Sequence, residues 1–599
     1  MPNAFASSVL FLLYFSPDLR STIFSNQYNN RLIVSRSNRD RSMIPELGFL
    51  FHQMESLSRI AYSHPTHLAY TGPRVRAWVP SNFLSFLASV PEAVQLQILD
   101  GSPAAVDLPR RPEAFYLFLL YQIDKELSKI SKPKLLDSTH GTDFLMVNDF
   151  VSGSGATSHS TARALTISLA YSGFQETNRY VRFSQILQKA LCGKTNLRSY
   201  NKKSGSHETI VQRKVATSLP RTLSLSCACA GRKEEDGLTY WRSTVGTEDH
   251  WLPEMIEVEL SEDGGVIVRE CQRESQQEQP EKWISCSTSS PIPPSVSKLV
   301  QEKRCLQKNH KYRYQLDAVL SFIRDDSDMA DSGHHVLHIR VSNAYTQFLL
   351  SEQLKELDRL AETDWVKSAM FAPEKTLNPD VYRKRAQRVK EALNNLQKSE
   401  SSSAGSWILA NGHSVQESAI EDARAFHVSF KEPCLVVYRA IQEHDHKPEQ
   451  LPTVKAEMPP SVMVTRSITD GRPPKYAVDS DSLPGKGDII AFDAEFVSVQ
   501  EEDSSLTKAG SKVTNREVRH AVARISVIDC KSRKVIIDDH VLPQERVVDY
   551  LTRFSGIVAK DLDPVQSPHH LISTRSAYLK LRFLMERYVV GRVRADFAY

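Results

Sequence analysis

Two carboxylates, Asp493 and Glu495, stand two residues apart in the run Asp488-Ile-Ile-Ala-Phe-Asp-Ala-Glu-Phe-Val497. The run is apolar and reads as a strand, where residues two apart point to the same face. Acids held side by side repel each other unless a cation sits between them. Hard oxygen ligands of this kind suit Mg²⁺ or Mn²⁺. The chemistry such a pair makes available is two-metal hydrolysis of a phosphodiester. The competing reading is an edge strand with solvated acids, and on Asp-x-Glu alone, a short motif, that reading is favoured.

The elements that must position this pair begin at Gly485. After the acidic strand, 488–497, come a polar loop over 500–517 and strands over 522–529 and 534–538. Helices are predicted near 545–554 and over 573–588, giving a unit over 485–599. Residues 441–484 hold several prolines and little apolar periodicity, so they read as a linker. Residues 1–440 mix both patterns. Helices are predicted around 9–15, 47–51 and 82–87, and strands over 164–171, 256–260, 314–323, 335–341 and 435–438. The Ser/Gly/Thr-rich 152–161 and the polar 272–297 read as loops. Asn378-Pro379 starts a helix to about residue 397, because Asn suits the cap and Pro the first turn. Its Arg383, Lys384, Arg385, Arg388 and Lys390 read as a solvated face, with an RNA-contacting face as the alternative.

The chain of 599 residues is long enough for several domains, with 41% hydrophobic and 24% charged residues. A net charge of +4 is small for this length, so any nucleic-acid contact must be local. The eight cysteines include no CxxC pair, which argues against a zinc ribbon and a disulfide framework. A reducing cytosolic or nuclear setting fits. The apolar run 9–15 has no preceding Lys or Arg and is too short to span a bilayer, so a buried helix and no membrane role are expected.

Further motifs carry a resemblance. Gly487-Asp-Ile-Ile-Ala-Phe-Asp-Ala-Glu-Phe496, Val522-Ala-Arg-Ile525, Ile537-Asp-Asp539 and Val547-Val-Asp-Tyr-Leu-Thr552 are followed by Phe554-Ser-Gly-Ile557, Asp561-Leu-Asp563 and Tyr578-Leu-Lys-Leu-Arg-Phe-Leu584. In this order they resemble the DEDD-type exonuclease domain found in the catalytic subunits of poly(A)-nuclease deadenylation complexes. Asn3-Ala4, Tyr14-Phe15, Glu46-Leu-Gly-Phe-Leu-Phe51, Asn82-Phe-Leu84, Pro91-Glu-Ala93, His250-Trp-Leu-Pro253 and Leu337-His-Ile-Arg-Val341 resemble the same family's ubiquitin-protease-like domain. The family's N-terminal β-propeller has no counterpart here.

The resemblance implies an α+β ubiquitin-hydrolase-like (papain-like) domain over 1–440, then an incomplete α/β ribonuclease-H-like exonuclease domain over 485–599. It implies a poly(A)-specific 3′-5′ exoribonuclease subunit, with a non-catalytic scaffold as the alternative. Asp493, Glu495 and Asp596 match three of four expected acidic ligands for Mg²⁺ or Mn²⁺. The family's Gly-His-Gly segment is altered to Gly591-Arg-Val593, and the motif with the last aspartate and the histidine would fall beyond Tyr599. The chain as written is therefore expected to be catalytically incomplete. The protease nucleophile region, Asn3-Ala-Phe-Ala6, has no cysteine, and Gly333-His334 resembles the position of the protease histidine. Ubiquitin cleavage is not expected. Arg198-Ser-Tyr-Asn-Lys-Lys203 stands where related proteases carry cysteine pairs, and Cys227 and Cys229 read as strand residues. Partners implied are poly(A) mRNA, a pseudokinase-like regulatory subunit and, indirectly, poly(A)-binding protein. The location implied is the cytoplasm, P-bodies included, or the nucleus.

Overall fold

A computed structural model describes residues 4–29, 32, 42–61, 81–95, 110–130, 139–150, 157–169, 182–201, 206–227, 251–261, 265–272, 282–285, 294–304, 311–324, 333–341, 347, 350–351, 354–355, 357–358, 379–398, 406–412, 414–426, 430–441, 458, 460–476, 483–484, 488–506 and 512–588. The chain forms two compact units. One comprises Met1–Ser21 with Leu50–Thr453, and the other Thr22–Phe49 with Val454–Tyr599.

The first unit is built around two sheets. Strands β1 (Thr142–Phe150), β2 (Thr157–Ala164), β4 (Cys192–Asn201) and β5 (Ser206–Ala216) form one, in the order β2-β1-β5-β4. The larger sheet centres on β10 (Lys311–Arg324), which pairs along one edge with β14 (Lys431–Ile441). β10 also pairs with β7 (Met255–Leu260) through 311–315 and with β11 (Gly333–Val341) through 318–324. β6 (Thr222–Ser226), β3 (Ile167–Ser168), β8 (Val266–Gln272), β9 (Lys282–Ser285), β12 (Ser406–Asn411) and β13 (Ser414–Ser418) complete it. β10 is buried on both faces through its middle, where Gln315, Asp317 and Ser321 lie buried among the apolar residues. Its Tyr314 is fully buried and donates to Pro220 O at 2.7 Å, while Tyr438 on β14 donates to Pro253 O at 2.7 Å. Each phenol thereby buries its ring without orphaning its hydroxyl.

The expected helices at 9–15, 47–51 and 82–87 lie within Ala4–Phe15, Met43–Ala61 and Ser81–Ala88. The helix from Asn378 is Pro379–Lys398, packing through Ala386 and Val389 while Arg383, Lys384, Arg388 and Lys390 are exposed. The placement of the Arg385 side chain lies outside the described residues. Other expectations need correction. Residues 157–161 belong to β2, because β1 offers an edge to pair with; tertiary pairing overrides weak local propensity. Residues 282–285 likewise form β9. Over the described part of the strand expected at 164–171, residues 164–169, only the last residue of β2 and the two residues of β3 are extended in a sheet, and 170–171 lie outside the described residues.

The second unit has a sheet ordered β15-β18-β19-β20, made of Ile490–Gln500, Arg519–Asp529, Val535–Leu542 and Leu571–Ser573. The first two pairings are antiparallel and β19 to β20 is parallel. Ile525, Val527, Ile537 and Ile572 pack with Phe583 and Leu584 of the helix Thr574–Tyr588. The polar loop over 500–517 contains a hairpin, β16 (Asp503–Leu506) and β17 (Lys512–Arg516). Within the stretch read as a linker, the described residues 458 and 460–476 reach this sheet. Met458, Val462 and Met463 join this core, and Ile468 N–H donates to Leu571 O at 2.8 Å. No long helix forms over 545–554; only Thr552–Ser555 is helical. Leu551 takes a positive φ of 48°, and Asp549 accepts its N–H and bridges to Ser498 on β15, which ends helical propagation there.

One charged group lies inside the second core. Asp539 of β19 accepts from Lys580 Nζ at 2.7 Å and meets His570 Nδ1 at 2.6 Å, with Asp539 2% and Lys580 1% exposed. Burial pushes the Asp539 pKa up, but the His570 hydrogen bond and the Lys580 charge outweigh it and hold the group below the usual carboxylate value. A carboxylate with a depressed native pKa stabilises the fold above its unfolded value, about 3.9, and loses that contribution as pH falls through the native one. The buried triad is thus expected to weaken only in acid, from about pH 4 downward. Replacing Asp539 with Ala strands a buried Lys580 charge, so a loss of about 3–5 kcal/mol is expected in hydrogen-exchange protection of β18 and β19. Unchanged protection would show that the triad contributes nothing.

Candidate metal and nucleic-acid face

The position of the acid pair follows from β18. Its Ile525 and Val527 are buried toward the helix, so the intervening Arg524 and Ser526 face the other way. Asp493 lies opposite Ser526 and Glu495 opposite Arg524. Across the next ladder, Ser526 meets Asp538 and Arg524 meets His540. Directly paired residues share a face, so Asp493, Glu495, Arg524, Ser526, Asp538 and His540 stand together on one side of the sheet. A bulge follows, because Phe496 pairs with Val522 and leaves Ala523 without an opposite residue. Beyond it Val497, Ile557, Leu562 and Leu571 close the end of this face.

The charges on the face are unevenly partnered. Arg524 donates to Asp538 Oδ1 through Nε at 2.9 Å and Nη2 at 2.8 Å, and Ser526 Oγ lies 3.3 Å from the same oxygen. Among the described residues, Asp493 and Glu495 have no hydrogen-bond or ion-pair partner. Asp493 is exposed and Glu495 half-buried. Two unpartnered carboxylates on one strand face form an all-oxygen donor pair, which fits a hard divalent cation. The structure brings Asp493 and Glu495 together as the sequence predicts; Asp596 lies outside the described residues.

Sequence reasoning gave no role to the neighbours of the pair. A cleft of about 660 Å³ opens on this face, lined by Arg524, Asp538, His540, Asp561, His569 and the loop that carries Arg472, Lys475 and Tyr476. The His540 and His569 rings are stacked, with centroids 3.9 Å apart and planes at 8°. Burial, helped by His569 and Arg524, lowers His540 to a pKa of about 4. The signal was available in β19: Asp538 and His540 share one parity and Asp539 has the other.

The segment that resembles the protease nucleophile region, residues 3–6, carries no cysteine. The helix Ala4–Phe15 contains no cysteine, and Phe5 on it packs edge-on against His335 with centroids 6.1 Å apart. Ser8 Oγ donates to His335 O at 3.4 Å, and the His335 side chain is buried between Phe5 and Phe322. His334 is half-buried on β11. Asn3 lies outside the described residues. Cys227 directly follows β6, buried, with its N–H donating to Cys434 O at 2.9 Å, while Cys229 lies outside the described residues. Residues 198–201 lie on β4, and 202–203 lie outside the described residues. Among the described residues, no helix is long and apolar enough to cross a membrane.

Residues 1–367 match the family described as ubiquitin carboxyl-terminal hydrolase. Over its whole length the chain is 23% identical across 632 residues to the rat (Rattus norvegicus) PAN2-PAN3 deadenylation complex catalytic subunit Pan2, covering 47% of that protein. The chain thus spans about half the length of the curated relatives it matches. The Neurospora crassa Pan2 catalytic unit, comprising protease and nuclease domains, aligns with a TM-score of 0.58 at 20% identity, over 98% of this chain and 77% of that one. A Saccharomyces cerevisiae Pan2 pseudoubiquitin hydrolase-RNA exonuclease module in complex with A7 RNA aligns with a TM-score of 0.58 at 18% identity, over 98% and 75%. The fold is that of a ubiquitin-hydrolase-like domain joined to a ribonuclease-type exonuclease domain.

Two outcomes follow from this geometry. Mn²⁺ titrated into the chain and followed by paramagnetic resonance is expected to bind weakly, and the Asp493→Ala/Glu495→Ala double variant to lose that binding; equal binding would make these acids merely solvated. A ubiquitin–fluorophore conjugate is expected to show no cleavage above buffer, and cleavage abolished by thiol alkylation would contradict this reading.

Proposed function

We propose, for a chain that belongs to the ubiquitin carboxyl-terminal hydrolase family, that its first unit is a non-proteolytic scaffold and its second shortens mRNA poly(A) tails from the 3′ end. The observation that carries this reading is the unpartnered pair Asp493 and Glu495 on the polar face of a sheet otherwise fixed by its core. Likeness to catalytic subunits of deadenylation complexes supports the substrate. Asp493 and Glu495 would hold Mg²⁺ or Mn²⁺. When bound, such ions supply a nucleophile at neutral pH and stabilise the leaving oxygen. Arg524 cannot substitute for the metal beside Glu495, because its guanidinium is already held by Asp538.

The reading extends to the partners. A pseudokinase-like regulatory subunit and, through it, poly(A)-binding protein belong to the proposal. So does a reducing cytoplasmic location, P-bodies included, which is supported by free cysteines at 192, 227, 271, 434 and 530.

The test uses end-labelled RNA with a 3′ A tail and the full chain in Mg²⁺. Tail shortening is expected once the chain is joined to the motif that supplies the last aspartate and the histidine, with Asp493→Ala in that extended form slowing it by roughly 10²-fold or more while A-tail binding persists. Shortening at an undiminished rate in Asp493→Ala would overturn the assignment. Binding of the tail with no shortening by the wild-type chain so extended would instead support the alternative of a non-catalytic scaffold.

A further inference from the structure

We propose that His540, His569 and Asp561 form a second cation site, for a borderline transition metal of the Zn²⁺ class, on the same sheet face as the acid pair but separate from it. One ligand atom from each residue lies within 4.8 Å of the others. The residues come from β19, the short helical turn Ala559–Leu562 and the approach to β20. Backbone contacts fix their relative heights, since His540 N–H donates to His570 O at 2.9 Å and His540 pairs with Leu571. Asp561 is held as well. Its Oδ2 accepts Val558 N–H at 2.9 Å while its Oδ1 meets His569 Nε2 at 3.1 Å.

The donor set decides which metal. Two imidazoles and one carboxylate form a mixed nitrogen–oxygen set, the kind that takes Zn²⁺, Co²⁺ or Ni²⁺ in preference to Mg²⁺. Asp493 and Glu495 offer oxygen alone and favour the reverse. The two sites therefore discriminate by softness. The two imidazoles lie side by side with centroids 3.9 Å apart, and each would ligate through a ring nitrogen in its neutral form. Tetrahedral Zn²⁺ places its ligand atoms about 3.3 Å apart, so the donors must close by at most about 1.5 Å. The His569 side chain, 42% exposed, has the rotational freedom to do this. Three protein ligands leave one position for water, facing the cleft, in the manner of an open zinc site.

Zn²⁺ and Co²⁺ are the probes, titrated into the full chain in a background of Mg²⁺. Saturable binding of one Co²⁺ is expected, with visible ligand-field absorption and no thiolate charge-transfer band. His569→Ala and His540→Ala are each expected to lower Zn²⁺ affinity by at least roughly the 10–100-fold that loss of a mere supporting partner costs. His569→Ala alters an exposed side chain, and its unfolding midpoint in EDTA should match the wild type, which separates ligation from folding. Asp493→Ala/Glu495→Ala should leave Zn²⁺ affinity unchanged, so the result does not depend on the nuclease reading. Zn²⁺ affinity unaltered in His569→Ala, a thiolate band, or no saturable binding would each overturn the assignment.

Discussion

The register of β18 is the constraint on which the second unit depends. Ile525 and Val527 must face the helix Thr574–Tyr588 to be buried, and this choice sends Arg524 and Ser526 to the other side. A slip of one residue would reverse every side chain, exposing the core and burying an arginine. Because both neighbouring strands pair with β18, its parity is inherited by each. Asp493 and Glu495 on β15 and Asp538 and His540 on β19 thus share a face without any direct contact between the two strands. A hydrophobic requirement on one side of the sheet arranges the chemistry on the other.

The packing of the first unit rests on residues other than those protease chemistry would need. The sheet built on β10 needs its buried Tyr314, Leu316 and Val319 whether or not a thiol is present. Around His335 the space is filled by Phe5 and Phe322. Aromatic packing there stabilises the junction of helix and strand, whereas a thiolate would need an accessible, polar neighbourhood to be reactive. Retained packing and absent nucleophile are compatible because they rest on different residues.

What was legible in the sequence follows from the range of the interactions involved. The acidic strand, the paired strands at 311–324 and 333–341, and the helix from Pro379 announce themselves through local pattern. The packed stretch around Met458, Val462 and Met463 did not, because its apolar residues are sparse and bury only against a core formed over 60 residues later. The hairpin within 503–516 and strand β2 are polar along their length and depend on pairing, which no local period reports. The His540–His569 stack was hidden for the same reason: the residues lie far apart in sequence and meet only through the parallel pairing of β19 with β20.

Four acids mark this part of the chain, and their partners sort them better than their motifs do. Asp539 is buried and satisfied by Lys580 and His570, so it serves the core. Asp538 gives one oxygen to three donors from Arg524 and Ser526, and displacing them for a metal would cost those charge-assisted bonds. Of the four, Asp493 and Glu495 have no hydrogen-bond or ion-pair partner among the described residues. Arg524 has a second consequence here. By committing its charge to Asp538 it leaves Glu495, directly opposite, without a counter-ion. An arginine that bridged both acids would offset half of their charge and occupy the oxygens a metal would need. The ladder of β18 and β19 therefore holds the cation away from the acid pair, and the open charge on β15 is a product of that pairing.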